Sequence, residues 1–454
     1  MSESDIEDSG SQPTAPPDGD DSIRGRVLPA ERMAVALAFA WLFFLLLGYF
    51  IVRPLRETMS TIVGTESLQN LFLASFGVML CAVPVYSGIV AILPRRWLVR
   101  IVFHFFAICL CGFWLLMRSD SSQVQTWSAY VFFVWVSVFG VFATSVFWSV
   151  LADMFSNNQG KRLFGLIASG GTIGAITGSL VASQLASQLS SGALLLIPAA
   201  MIEMGLWCAW RLETYSDAIQ AADPTRTVDR SWMKPTGGGL LAGITHVARS
   251  PYLAMICLFL LFIQLCGTQL YFEQAEIVDS LVKEESDRTQ YFAYLDLAVQ
   301  LVTLLVQVGL SSVVLRRFGV AFALLLLPVI YALGFASLAT SQTLLVLSVT
   351  VIAARSAGYG IAVPAREVLF TVVSREDKYK SKSFIDTVVL RGGDALSGQL
   401  FASLRGLGFG LAALNLIALP VTVLWAIVAI LLGRKQRMLA RSVSTTKSSG
   451  ELAP

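Results

Sequence analysis

Long apolar stretches separated by short polar ones dominate the chain. Most stretches hold the ~20 residues that a helix rising ~1.5 Å per residue needs to cross roughly 30 Å of hydrocarbon. Twelve such helices can be marked on the sequence. Helix 1 runs from Met33 and ends in YFIVRPLRET; helices 2 to 6 take Leu68 to Leu93, Ile101 to Met117, Thr126 to Met154, Arg162 to Gln184 and Ala193 to Trp210. Helix 7 starts at Ser250-Pro251, an N-cap followed by proline at the first helical position, and ends near Glu273. Helices 8 to 12 take Gln290 to Leu315, Val320 to Leu338, Leu344 to Val373, Ser383 to Leu404 and Gly410 to Leu432. SNNQGKR reads as a turn between helices 4 and 5, and Glu276 to Asp287 as an acidic external segment before helix 8. The apolar runs do not alternate as barrel strands would, so the expected fold class is an all-α polytopic membrane protein.

Composition agrees: 55% of residues are hydrophobic and only 14% charged, with a mean hydropathy of +0.69, too apolar for a soluble chain of this length. The polar stretches divide the chain into an acidic tail at 1–30, expected to be disordered and to lack a cleavable signal, a six-helix bundle at 31–212, a linker at 213–250, a second bundle at 251–433 and a tail at 434–454. Of the 33 Lys and Arg, 24 fall in the tails and in alternate loops, and four (Arg118, Lys283, Arg288, Arg405) on the opposite side. The positive-inside rule then puts both termini in the cytoplasm, and a bacterial inner membrane is the expected location, with the bilayer as partner and the chain a monomer. All six cysteines lie in apolar runs without ligand spacing, and His104 and His246 are too scattered for a metal site. Neither a nucleophile nor a cofactor constellation is visible, so no metal, no cofactor and no enzymatic activity are expected, and nothing points to nucleic acid.

The two bundles match each other at near-constant offsets. At 220, Arg162, Phe164, Gly178, Leu180, Ala182 and Ser183 meet Lys382, Phe384, Gly398, Leu400, Ala402 and Ser403; at 221, Arg95-Arg96-Trp97 meets Arg316-Arg317-Phe318; at 222, Tyr49-Phe50 meets Tyr271-Phe272. Two parallel six-helix repeats resemble the major facilitator architecture, in which a substrate sits between the halves near the midplane. That architecture implies a cavity lined by helices 1, 4, 7 and 10.

Charge inside the membrane marks the candidate site, because an ionisable group at the bilayer centre costs roughly 2.5–3.5 kcal/mol and needs a partner, water or a ligand. Arg53, Arg56 and Glu57 stand at i, i+3 and i+4, so Arg53 and Glu57 share a face; they read either as an ion site at a cavity mouth or as an interfacial pair. Arg355 lies midway along helix 10, too deep to snorkel. Arg366 and Glu367 on helix 10 and Asp386, Arg391 and Asp394 on helix 11 flank a basic hairpin, with Arg391 placed to neutralise Asp394 three residues on. This set reads either as substrate contacts or as a network that locks one conformation. Asp296, Glu203 and Glu273 are also embedded, and read either as groups that titrate during transport or as members of ion pairs. Gly170, Gly171, Gly174 and Gly178 lack the strand and Lys-Ser/Thr of a phosphate loop; their spacing is a small-xxx-small packing stripe.

YFIVRPLRET, VFWSVLADMFSNNQGKRLFG and PAREVLFTVVSREDKYKSKSFIDTVVLRGG resemble segments of the ATP/ADP (nucleotide) translocases of intracellular bacteria and plastids, and still more those of their free-living bacterial relatives. The resemblance spans most of 31–433 and implies a secondary transporter, an exchanger of nucleotides. It sets Arg56 at a functionally important lysine of that family, Glu57 at an acidic residue, and Lys382, Asp386 and Arg391 at its Lys, Asp and Arg around helix 11. Two positions depart from it: Val136 replaces an acidic residue of helix 4, and Asp394 stands where a lysine is expected. The function expected is alternating-access transport of a small charged solute; a non-transporting sensor or assembly factor is the competing class.

Overall fold

A computed structural model describes residues 27–92, 95–155, 157–215, 219, 250–373 and 385–450. The tail at 1–26, His246 and most of the linker, and Lys382 lie outside the described residues.

Among the described residues the chain forms helical rods, numbered here in chain order. α1 is Arg32–Val63, α2 Thr65–Ile92, α3 Arg95–Leu116, α4 Ser122–Met154, α5 Asn157–Leu185 and α6 Ser191–Glu213. The second half has α7 Pro251–Leu281, α8 Glu285–Arg317, α9 Gly319–Thr340, α10 Leu344–Leu369, α11 Leu390–Gly406 and α12 Leu411–Gly450. Ten of these rods, all but α2 and α11, are long and apolar enough to cross a bilayer. The order agrees with the twelve helices read from the sequence.

Several ends differ from that reading for one reason: a polar sequence at a membrane boundary can continue a helix into water. SNNQGKR is helical from Asn157, α7 continues past Glu273 to Leu281, and only Val282 to Glu284 separate it from α8. Glu276 is therefore not in an external loop but within α7, paired with Arg405 of α11 at 2.5 Å. α12 likewise runs beyond Leu432 to Gly450.

Each half has its own core. In the first, the fully buried Trp41 ring meets Phe147 and Phe103 edge-on at 4.9 and 5.8 Å; in the second, buried Trp425 packs on Tyr331 and Phe259 at 5.6 and 5.8 Å. Corresponding helices pack alike, α1 on α5 and α6, and α7 on α11 and α12. The glycine stripe behaves as the packing surface its spacing implies. A Cβ on Gly170 would stand 2.6 Å from the Phe39 carbonyl oxygen and one on Gly171 2.7 Å from Leu46, while at Gly174 and Gly178 it would collide with the Phe43 and Leu47 carbonyls. Glycine lets the α1 and α5 backbones touch.

The halves meet along α5 against α8 and α2 against α11. Their direct hydrogen bonds gather at the end carrying the α1–α2, α5–α6 and α7–α8 turns: Thr58 with Thr289 at 2.8 Å, Arg288 to the Thr61 hydroxyl at 2.9 Å, Gln290 to the Ser183 carbonyl at 3.0 Å, and Ser191 with Glu285. Arg288 also donates to the Val282 carbonyl at 2.7 Å and pairs with Asp279 at 2.6 Å, so one guanidinium ties the α7–α8 turn to α1.

Candidate functional site

Between the halves lies a cavity of about 600 Å³, within the usual range for a small-molecule site. α1 supplies Leu46, Tyr49, Phe50, Arg53 and Arg56; α4 supplies Ser137, Gly140, Thr144 and Ser145; Thr172 comes from α5. From the other half come Gln300, Thr303 and Gln307 of α8, Tyr359 of α10 and Arg391 of α11. Among the described residues, the charged ones lining it are three arginines, with hydroxyls and amides around them and no carboxylate. This corrects the expected set of lining helices. α7 is not among them; α5, α8 and α11 are, and α7 stands behind the wall, supplying Gln264, Thr268 and Gln274 as partners to the charges.

Three helices carry turns wound more loosely than an α-helix beside this space: Val306–Ser311 in α8, Gly358–Ala362 in α10, and Ile385–Val389 leading into α11. Such π turns shift the side-chain register and expose backbone carbonyls, and they recur at functional sites. Here they carry the lining residues Gln307 and Tyr359.

The centre of charge is Asp296 of α8, with a side chain 2% exposed. Its Oδ1 pairs at 3.5 Å with Arg53 of α1 and at 3.5 Å with Arg355 of α10, joining one half to the other. Arg355 also donates to the Gln274 amide oxygen at 3.2 Å, and Asp296 Oδ2 is buried without a hydrogen-bond partner in the structure. The local spacing offered Glu57 as the partner of Arg53, whereas the ion pair that Arg53 makes is with Asp296. α1 continues to Val63, so Arg53 lies inside the helix and not at its end, and Asp296 reaches it across the halves. Glu57 is buried and its Oε2 lacks a hydrogen-bond partner.

Arg56 is different. Among the described residues it forms no ion pair; its guanidinium lies over the Phe133 ring at 4.2 Å and near the Tyr271 ring at 5.9 Å, and its Nε is buried without a hydrogen-bond partner. Phe133 of α4 and Tyr271 of α7 come from opposite halves, and Phe72 of α2 touches both rings at 5.9 and 5.4 Å. A π face stabilises a cation without neutralising it.

On α11, Arg391 faces Asp394 at 3.7 Å, the neutralisation expected from their spacing, and Asp394 accepts hydrogen bonds from Gln264 and from Thr268 at 3.2 Å. Arg366 pairs with its neighbour Glu367 at 3.4 Å. Asp386 stands in the π turn Ile385–Val389, its side chain outside the described set. The structure thus brings Arg53, Arg56 and Arg391 to one cavity and joins Arg355 to it through Asp296. Glu203 of α6 pairs with His104 of α3 at 2.8 Å on the exposed face of its bundle, the kind of pairing expected for it.

These features coincide with a sequence match. The family model of the Major Facilitator Superfamily matches residues 38–385, most of the chain. The chain belongs to the Major Facilitator Superfamily. No curated protein matches it at a significant level. Among solved structures, a bacterial homologue of the iron transporter ferroportin in an inward-facing state is similar at a TM-score of 0.64 and 12% identity, covering 88% of this chain and 98% of that one. The D323A mutant of the nucleoside transporter NupG is similar at 0.56 and 16%, covering 90% and 99%. A bacterial homologue of the lysosomal transporter Spinster, inward-facing and unoccupied, gives 0.54 and 14%, covering 92% and 98%. At such identities these establish the shared fold: two helical bundles facing each other across a cavity. The chain is a transporter of this fold.

Proposed function

We propose that this facilitator carries a small organic or inorganic anion by alternating access, with Arg53, Arg56 and Arg391 as the groups that meet it. One observation supports this reading above the others: the charged side chains lining the cavity are arginines, and Arg56 has no ion-pair partner among the described residues. An unpaired guanidinium beside a wet cavity is a waiting partner for carboxylate or phosphate, which it binds through a bidentate fork. Thr144, Ser145, Thr172 and Gln300 add neutral donors for the rest of the solute.

The nucleotide-exchange reading implied by the family resemblance is the narrower form of this proposal, and two positions count against a polyphosphate. Val136 is fully buried in the first bundle's core, away from the cavity lining, and Asp394 pairs with Arg391 and offsets its charge. A solute carrying one or two negative charges fits this balance better. The loop charges favour cytoplasmic termini in a bacterial inner membrane; the end where Thr58 meets Thr289 is then external.

The test is uptake into proteoliposomes, after thermal-shift screening against phosphate, carboxylates, nucleotides and amino acids. Arg56→Gln removes one charge-assisted contact of ~1.5–3 kcal/mol, so KM is expected to rise roughly 10–150-fold with Arg56→Lys partly restored. Stabilisation by cationic or neutral solutes alone would overturn the anion reading. No stabilisation by any solute, with no uptake, would favour a sensor or assembly factor.

A further inference from the structure

The cavity carries aromatic surface that a simple anion does not use. Tyr49 and Phe50 of α1 and Tyr359 of α10 line it together with the three arginines, so rings from both halves border the same space. Tyr49-Phe50 repeats in the second half as Tyr271-Phe272, but Tyr271 lies near Arg56 and neither residue of that copy is among those lining the cavity. The second half presents Tyr359 instead.

Two separate features of the backbone hold these tyrosines in place. On α4, Gly140 leaves room for the Tyr49 ring: a Cβ there would stand 2.8 Å from Cε2 and 3.1 Å from the hydroxyl oxygen. The ring thus lies against bare α4 backbone, with Phe50 and Phe139 beside it at 5.5 and 6.1 Å. On α10, Gly360 lets one π turn touch another, because a Cβ there would come within 2.6 Å of Val306 at the start of the α8 turn. Gln307 of that turn donates to the Tyr359 carbonyl at 3.4 Å, so the backbone on both sides of Tyr359 is fixed. Its side chain is not. Tyr359 is 45% exposed, and among the described residues its ring meets no other ring and its hydroxyl has no hydrogen bond. Both tyrosines lie near Arg53, whose guanidinium also sits over the Phe50 ring at 5.6 Å.

We infer that the solute is an aromatic acid, a planar ring bearing a carboxylate, and that Tyr49 and Tyr359 hold its ring while the arginines hold its charge. The inference rests on the anion reading and narrows it. An aromatic ring brings its electropositive edge to the electronegative face of a tyrosine, or stacks offset upon it, and so gains contact that a saturated ring of similar size does not. A guanidinium is itself planar, and its fork matches a carboxylate lying in or near the plane of such a ring. The single negative charge suits the balance left by Asp394 beside Arg391.

The experiment follows the melting temperature of the purified full chain in detergent against benzoate, cyclohexanecarboxylate, acetate and phosphate, at constant ionic strength and pH. Benzoate and cyclohexanecarboxylate carry the same charge on rings of similar size, so comparing them isolates the flat π face. Wild type is expected to reach its half-maximal shift at a benzoate concentration about two- to tenfold below that of cyclohexanecarboxylate. Tyr359→Leu removes that preference, Tyr359→Phe keeps it, and Gly140→Ala, which displaces the Tyr49 ring, weakens it. The wild-type comparison stands even if a variant does not fold. Equal midpoints for the two rings in wild type, or a response to acetate or phosphate without one to benzoate, overturn the aromatic inference and leave the anion reading intact. A preference unaltered in both Tyr359→Leu and Gly140→Ala overturns the role of the tyrosines. A response to none of these anions overturns the anion reading as well.

Discussion

Asp296→Asn is the perturbation whose size can be worked most directly from the geometry. The wild-type carboxylate is 3.5 Å from each of two guanidiniums, one on each half. At an effective dielectric of ~20 each contact is worth roughly 4–5 kcal/mol before desolvation is counted. Most of that offsets the burial of three charges, so the triad adds little net stability, but deleting its centre leaves Arg53 and Arg355 facing each other unpaired. Breaking a buried pair in this way costs about 3–5 kcal/mol. With an unfolding entropy of about 2.1 cal/mol/K per residue over 454 residues, the fall in Tm is at least ~3–5 °C, and larger where helices survive unfolding. Fluorescence-detected melting of the purified protein reads this, and uptake in proteoliposomes is expected to be lost in the same variant. The triple variant Arg53→Met, Asp296→Leu, Arg355→Met separates the two effects, because apolar replacements of a complete buried network are close to neutral for stability. It should melt within a few degrees of wild type and still fail to transport. An Asp296→Asn protein that melts like wild type would refute the claim that this carboxylate carries the junction.

Two further outcomes follow from contacts described above. Gly174→Ala pushes a methyl group into the Phe43 carbonyl of α1, so α1 and α5 must separate; overpacking of this kind costs about 1–3 kcal/mol, and a drop in Tm without a change in KM is expected. A Gly165→Ala control, where a Cβ meets nothing within 4 Å, should be silent. Arg288→Ala removes the bonds to Thr61, Val282 and Asp279, each ~1.5–3 kcal/mol for a charged donor, and amide hydrogen exchange of Val282 to Glu285 should accelerate at least tenfold.

The fold was legible because its physics is local. A run long enough to span hydrocarbon has only one way to satisfy its backbone, and the helix order follows. Local pairings were legible too: Arg391 with Asp394 at i, i+3, and the glycine stripe of α5. What escaped was set by contacts between distant helices. Asp296 is a lone acid in an apolar run, and nothing within that run says that arginines from α1 and α10 converge on it. Arg53 had an acidic residue four positions away, which the local rule offers in place of a partner on the other half. Helix ends at Asn157 and Leu281 were missed since polarity marks the membrane boundary, not the end of the helix. The π turns had one local signal, Gly358-Tyr359-Gly360, with a glycine on either side of the cavity-lining tyrosine.

The position of Asp296 bears on how binding and movement are joined. Arg53 and Arg56 belong to α1 and travel with the first half; Asp296, Arg355 and Tyr271 belong to the second. Where the halves are closed around Thr58 and Thr289, Arg53 is paired with Asp296, and Arg56 lies between Phe133 of its own half and Tyr271 of the other. Parting the halves at that end breaks both contacts and leaves two cations on α1 without Asp296 or Tyr271. An anion bound between Arg53 and Arg56 would replace what each loses, and so would lower the cost of the motion that carries it. A ligand shifts a conformational equilibrium only by its difference in affinity for the two states. On the proposed anion reading that difference would have a structural source, because Asp296, which would compete with the solute for Arg53, is paired with it in the closed arrangement and would be withdrawn when the halves part.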